Sequence, residues 1–189
     1  YTEGSVTAEE LYNQSVIDIT TRTAFFPMTL IHPTIGCDCP NSIQLCRNRL
    51  VFAHSTGHIY TLVAQNQYSE KNVYEVSEMV SKRLPTGGAL KNSMSSDWEG
   101  HYLLFVPIPN GTDIYVMDYN SYGYSNIASY TKSDDANALV PWYYWTVSYL
   151  MIKDVLTVEG KLFLAGLTWG DNGNLWLGTY STKDDSADE

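Results

Sequence analysis

Three cysteines, Cys37, Cys39 and Cys46, lie close together, with His32 and His54 to either side. Thiolate and imidazole ligands in one neighbourhood are the raw material of a zinc site. Such sites favour two residues between paired cysteines, because that spacing lets both sulfurs reach one ion. Cys37-Asp38-Cys39 leaves only one residue between them, and there is no second pair. No metal is therefore assigned, and the cysteines are expected to be incidental. In an oxidising compartment a Cys37–Cys46 or Cys39–Cys46 disulfide would be open to them. Asp171-Asn172-Gly173-Asn174 echoes the start of a calcium loop but lacks its later bidentate Glu, so it is expected to be a hairpin turn.

Acid–base chemistry needs carboxylates that converge. Asp97 and Glu99 sit two apart, on one face of an extended segment. A glycosidase needs two such groups facing each other across a sugar. Asp97, Glu99, Asp113, Asp118 and Asp171 all lie at or near turns, where Asp and Glu are ordinary. His58 and His101 each open a strand beside a glycine turn, so they are expected at matching places in successive repeats. There is no Gly-x-Ser-x-Gly elbow. Gly87-Gly88 is followed by no Lys-Ser or Lys-Thr, so it reads as a loop and not a phosphate cradle. The chain is expected to be no enzyme and to need no cofactor.

The most unusual local feature is Trp142-Tyr143-Tyr144-Trp145. In a strand, Trp142 and Tyr144 share one face, and Tyr143 and Trp145 the other. One face is expected to be core. The other is the candidate partner interface, because Tyr and Trp dominate interface hot spots.

The elements that would hold these residues are hairpins. Residues 49–53 form an apolar strand, Ser55-Thr56-Gly57 turn, and residues 58–63 return. Residues 101–106 repeat this, turning at Asn110-Gly111 and returning over 113–119. Residues 161–165 repeat it again, turning at Asp171-Asn172-Gly173 and returning over 174–180. Glycine supplies the positive φ that such turns often need. Ile59-Tyr60, Ile114-Tyr115 and Leu175-Trp176 are then equivalent, 55 and 61 residues apart. Asp97-Trp98-Glu99-Gly100 and Val158-Glu159-Gly160 are further glycine turns leading into the second and third copies. Residues 72–77 and 142–147 are additional strand candidates. Four strands in each period of this length are the signature of propeller blades. The near-continuous apolar first strand of each hairpin is what packing on both faces demands.

The fold expected is all-β: a β-propeller or partial propeller of four-stranded antiparallel blades, with a β-sandwich as the alternative. Residues 1–40 are expected as an arm with a short helix over 7–12 and a strand over 16–20. Residues 41–183 hold the repeats, and 184–189 form an acidic tail. With 44 % apolar residues, the 189-residue chain can build a sizeable core. A net charge of −10 repels phosphate, so neither nucleic acid nor an anionic membrane is an expected partner. No apolar run is long enough to span a bilayer as a helix.

Residues 48–62, running Asn48-Arg49-Leu50-Val51-Phe52-Ala53-His54 and on through Ile59-Tyr60, are followed by Asn72-Val73-Tyr74-Glu75-Val76. Later come Asp97-Trp98-Glu99-Gly100-His101-Tyr102 and Tyr115-Val116-Met117-Asp118-Tyr119. This arrangement, over roughly residues 43–180, resembles virion structural proteins of tailed bacteriophages and prophages, of the tail or head–tail connector type. The resemblance implies a propeller-like assembly part with no catalytic set. Its partners would be other virion proteins or further copies of itself. Its location would be the virion, assembled in the bacterial cytoplasm. A carbohydrate-binding or glycoside-hydrolase-like propeller is the alternative function.

Overall fold

The computed structural model describes His32, residues 34–63, 73–128 and 139–168, and the strand 175–180. The chain divides into two compact units, Tyr1–Thr34 and Ile35–Glu189, and every strand below belongs to the second. The helix expected over 7–12, the strand over 16–20, the turn at 171–173 and the acidic tail lie outside the described residues.

The described chain is mainly β, in three antiparallel sheets that follow one another along the sequence. Sheet A contains β1 (Gln44–Cys46), β2 (Arg49–His54), β3 (His58–Leu62) and β4 (Val73–Glu75). Sheet B contains β5 (Met94–Trp98), β6 (His101–Ile108), β7 (Gly111–Asp118) and β8 (Trp142–Ser148). Sheet C contains β9 (Leu150–Val158), β10 (Lys161–Thr168) and β11 (Leu175–Tyr180). Each sheet is a meander in which every strand pairs with its neighbours in sequence. Two short helices, α1 (Gly88–Lys91) and α2 (Tyr122–Ser125), sit in the connections.

All three sheets begin in the same way. A two-residue turn joins the first strand to the second, at Arg47-Asn48, Glu99-Gly100 and Glu159-Gly160. Both residues of each turn have positive φ, from 47° to 81°. That is the type I′ geometry, whose twist matches the flanking strands. It gives a common origin for aligning the sheets: Arg49, His101 and Lys161 each open a second strand.

This origin corrects several sequence expectations. His58 opens the third strand of sheet A whereas His101 opens the second strand of sheet B, so the two do not match. Ala53 pairs with Ile59, Phe105 with Ile114, and Ala165 with Leu177. Leu177, and not Leu175, is therefore the counterpart of Ile59 and Ile114. The shift arises because the β10–β11 connection is longer than the other two. The second hairpin turns at Pro109-Asn110, and Gly111 already pairs with Ile108 as the first residue of β7. Gly111 does not serve the turn by positive φ. It lets β8 approach, since a Cβ there would lie 2.2 Å from the Val147 carbonyl oxygen. At the first hairpin the expectation holds: Gly57 closes a three-residue loop with φ 93°.

The sheets stack face to face in chain order, with sheet B in the middle. One core joins A to B, where Val51, Ala53, Ile59 and Cys46 meet Tyr102, Leu104, Tyr115 and Met117. The other joins B to C, where Trp98, Leu103, Phe105, Ile114 and Val116 meet Ile152, Leu162 and Leu164. Tyr102 through Val106 are therefore all buried, whereas β2 and β10 bury alternate residues. The first strands of the sheets lie against one another, β1 on β5 and β5 on β9.

Polar tips of large side chains tie the layers together. Tyr102 donates to the Ser42 carbonyl at 2.8 Å, Tyr124 to that of Cys46 at 3.0 Å and Tyr115 to that of Arg83 at 2.8 Å. Between B and C, Trp98 Nε1 donates to the Gly160 carbonyl at 2.9 Å, and the Ser96 and Thr157 hydroxyls are 2.7 Å apart. Thr112 Oγ1 donates to the Leu150 carbonyl and accepts from the Ile152 amide. Buried donors are thus spent on carbonyls that the meanders leave open.

Candidate interaction surface

β8 carries the aromatic run. It forms the last strand of sheet B and pairs, among the described residues, with β7 alone. Its register sets Trp142 opposite Met117, Tyr143 opposite Val116, Tyr144 opposite Tyr115 and Trp145 opposite Ile114. The expected alternation therefore holds, with Trp142 and Tyr144 on the sheet A side and Tyr143 and Trp145 on the sheet C side. Neither face of this strand is fully core. The layers meet most closely at their first strands, so the last strand of sheet B overhangs its neighbours. Tyr143 is 53 % exposed and Trp145 44 %.

The four residues divide into an anchor and an outward row. Trp142 is half-buried, its Nε1 donates 2.7 Å to the Val76 carbonyl, and its ring stands edge-on to Tyr102. It fastens β8 to the connection that follows sheet A. Tyr144 is exposed but oriented, because its ring lies 5.2 Å from that of Tyr115 and carries the Arg83 guanidinium at 5.1 Å. Thr146 Oγ1 lies 2.9 Å from both the Tyr144 hydroxyl and Asp113 Oδ1. Burial holds the Tyr115 phenol well above its usual range, and nearby Asp113 adds to the shift. Tyr115 is therefore a neutral donor beneath Tyr144. The exposed row is extended by Tyr149, in the tight turn to β9, which sequence reading did not single out. Solvent-facing aromatic rings on both faces of one edge strand give large contact area with little rotamer entropy to lose, which suits a protein interface.

The polar candidates do not assemble into a reaction centre. Asp97 pairs with Tyr102 on the sheet A side and accepts from the Tyr119 hydroxyl at 2.7 Å. Burial, reinforced by that carboxylate, pushes the Tyr119 phenol up. His101 pairs with Asp118 at one end of the β6–β7 hairpin, on the opposite face from Asp97. Asp118 is used locally, accepting from the Asn120 amide at 2.8 Å. Asp113 pairs with Val106, five residues along β6 from His101, which is about 16 Å at a strand's rise. Glu99 lies in the turn. Asp171 is outside the described residues.

The cysteines also stay apart in role. Cys39 and Cys46 are buried and Cys37 is exposed, all three as free thiols. Among the described residues no group of three or more His, Cys, Asp or Glu side chains is placed to hold a metal. Asp38, between two of the cysteines, is a structural carboxylate. It takes the Ser55 amide at 2.8 Å and the Ser55 hydroxyl, fixing the β2–β3 loop against the segment before β1. Those bonds, the hydroxyl first, hold its carboxyl well below the usual range.

No family model, curated protein or solved structure matches the chain.

Proposed function

We propose that the chain is a non-enzymatic structural or assembly protein of a tailed-phage or prophage virion, built as a partial β-propeller and acting through protein–protein contacts. The observation that carries this reading is the aromatic row of β8, exposed on the edge of the most deeply buried sheet. Tyr144 is held by Tyr115 and Arg83 on one face of the strand, and Tyr143 and Trp145 stand exposed on the other, an arrangement suited to docking. Three successive antiparallel meanders stacked in chain order, with first strands in mutual contact, support the propeller part. The sequence resemblance supports the virion part. The scatter of Asp97, Glu99, His101 and Asp113 weighs against sugar cleavage by those residues, because that chemistry needs carboxylates facing each other across one site.

Mass spectrometry of purified particles from an induced culture of the source bacterium tests it. Peptides spanning 72–82 are expected at the stoichiometry of a structural subunit. Their absence from particles, with clear presence in cells or medium, overturns the virion assignment.

A further inference from the structure

The type I′ turns give every sheet a forward face and a backward face that can be compared position by position. In sheet A the forward residues Cys46, Val51, Ala53 and Ile59 are buried against sheet B. Their counterparts in sheet B are Trp98, Leu103, Phe105 and Ile114, which are buried against sheet C. The same positions in sheet C are Val158, Phe163, Ala165 and Leu177. These remain apolar, yet none of them belongs to either core. Leu177 is 73 % exposed, and Leu156, on the same face opposite Phe163, is 60 % exposed.

The other end of the stack is the complement. The backward face of sheet B, with Tyr102, Leu104 and Tyr115, is buried against sheet A. The equivalent face of sheet A carries Leu50, Phe52 and Tyr60, joined by Leu45 opposite Leu50. Leu45 is 58 % exposed, Leu50 is also exposed, and the Phe52 and Tyr60 rings lie 6.0 Å apart as a tilted pair. One chain therefore carries both halves of the interface it already makes twice internally. Isolated exposed leucines are ordinary, but an apolar row on each end sheet is not, bordered by Asp154 and Lys161 on sheet C and by His54, His58 and Glu75 on sheet A.

We infer that the chain pairs with a second copy of itself, the forward face of sheet C in one copy seating on the backward face of sheet A in the other. Two copies contribute six sheets, within the range of four to eight over which such stacks close on themselves. The contact is made twice, related by a two-fold axis, and leaves no end open. This rests on the blade-like stacking of the proposed function, but not on its virion assignment or on the β8 row.

The test is the mass of the full chain in solution, by size-exclusion chromatography with light scattering at tens of micromolar. The expected mass is twice the 21.3 kDa of one chain. Leu177→Asp alone and Leu50→Asp alone are each expected to halve it, because each breaks one side of the same contact. Both positions are exposed, so circular dichroism should keep its β spectrum. Leu156→Asp and Leu45→Asp serve as second variants of the two faces should either first variant misfold. Tyr143→Ala with Trp145→Ala is expected to leave the pair intact, which separates this surface from the aromatic row. A single-chain mass for the natural sequence overturns the proposal. So does a mass that keeps growing with concentration, or a pair that survives Leu50→Asp and Leu45→Asp while losing Leu177→Asp, which would mean sheet C on sheet C.

Discussion

Cys39 and Cys46 behave as core side chains that happen to titrate. Burial is the main cause that pushes each thiol up to about 12 from an ordinary value of 9.0, aided by Asp38 for Cys39 and by Asp97 for Cys46. In the unfolded chain the thiols lose their protons from about pH 9, while in the fold they keep them. Stability is therefore whole below pH 9 and is expected to fall as pH rises toward 12. Urea unfolding at pH 8 and at pH 10.5 should show a lower midpoint at the higher value. A thiol reagent such as DTNB should titrate Cys37 in the native protein, and all three cysteines only after denaturation. Tyr102 offers a second measurement at this scale. Replacing it with Phe removes the donor to the buried Ser42 carbonyl, at an expected cost of about 1–3 kcal/mol of unfolding free energy. The cysteine cluster also illustrates what spacing conveys. Cys-x-Cys argued against a zinc site from the sequence alone, but which thiols are buried depends on the register of β1 with β2. That register pairs Cys46 with Arg49 on the forward face, and no local pattern of residues announces it.

Hairpins were legible because glycine and alternating apolar residues are local signals. The strands of all three central hairpins appear where expected, as do β4 and β8. The first strands were harder to see, and none of the three, β1, β5 or β9, was expected. β1 is three residues long, and β5 is written Met-Ser-Ser-Asp-Trp, with serines buried because they bond across to the adjoining layers. The turn Arg47-Asn48 was missed because it lacks glycine. Asn, which visits positive φ more readily than most residues, was its one cue. Two substitutions separate the ways a turn residue can matter. Gly111→Ala should destabilise by about 1–3 kcal/mol, since a Cβ 2.2 Å from the Val147 carbonyl forces β8 away from β7. Glu159→Asn should stabilise by about 1 kcal/mol, because a residue tolerant of positive φ replaces one that is strained there. Urea melts of both variants against the natural sequence decide the signs.

Among the described residues, burial is graded from the middle sheet outward. In the Leu50→Asp variant, expected to be a single chain, hydrogen exchange should follow it, with the slowest amides in β6 and β7 and faster exchange in β9 and β10. In the natural sequence, protection in β9 and β10 should rise toward that in β6, because the outer sheet is covered by the second copy. Sequence reading expected every hairpin's first strand to be packed on both faces. Among the described residues only β6 meets that expectation. Apolar composition records what a face is built for, and coverage depends on what adjoins it. The meander topology carries one more consequence. Every strand pairs with a partner adjacent in sequence, so each sheet can close soon after its last strand leaves the ribosome, without waiting for distant chain. Sheet A can form first and present Val51 and Ile59 as a template for Tyr102 and Tyr115. Sheet B can then present Phe105 and Ile114 to sheet C. The order of synthesis and the order of stacking are the same, and each layer to emerge covers the apolar surface left by the one before it.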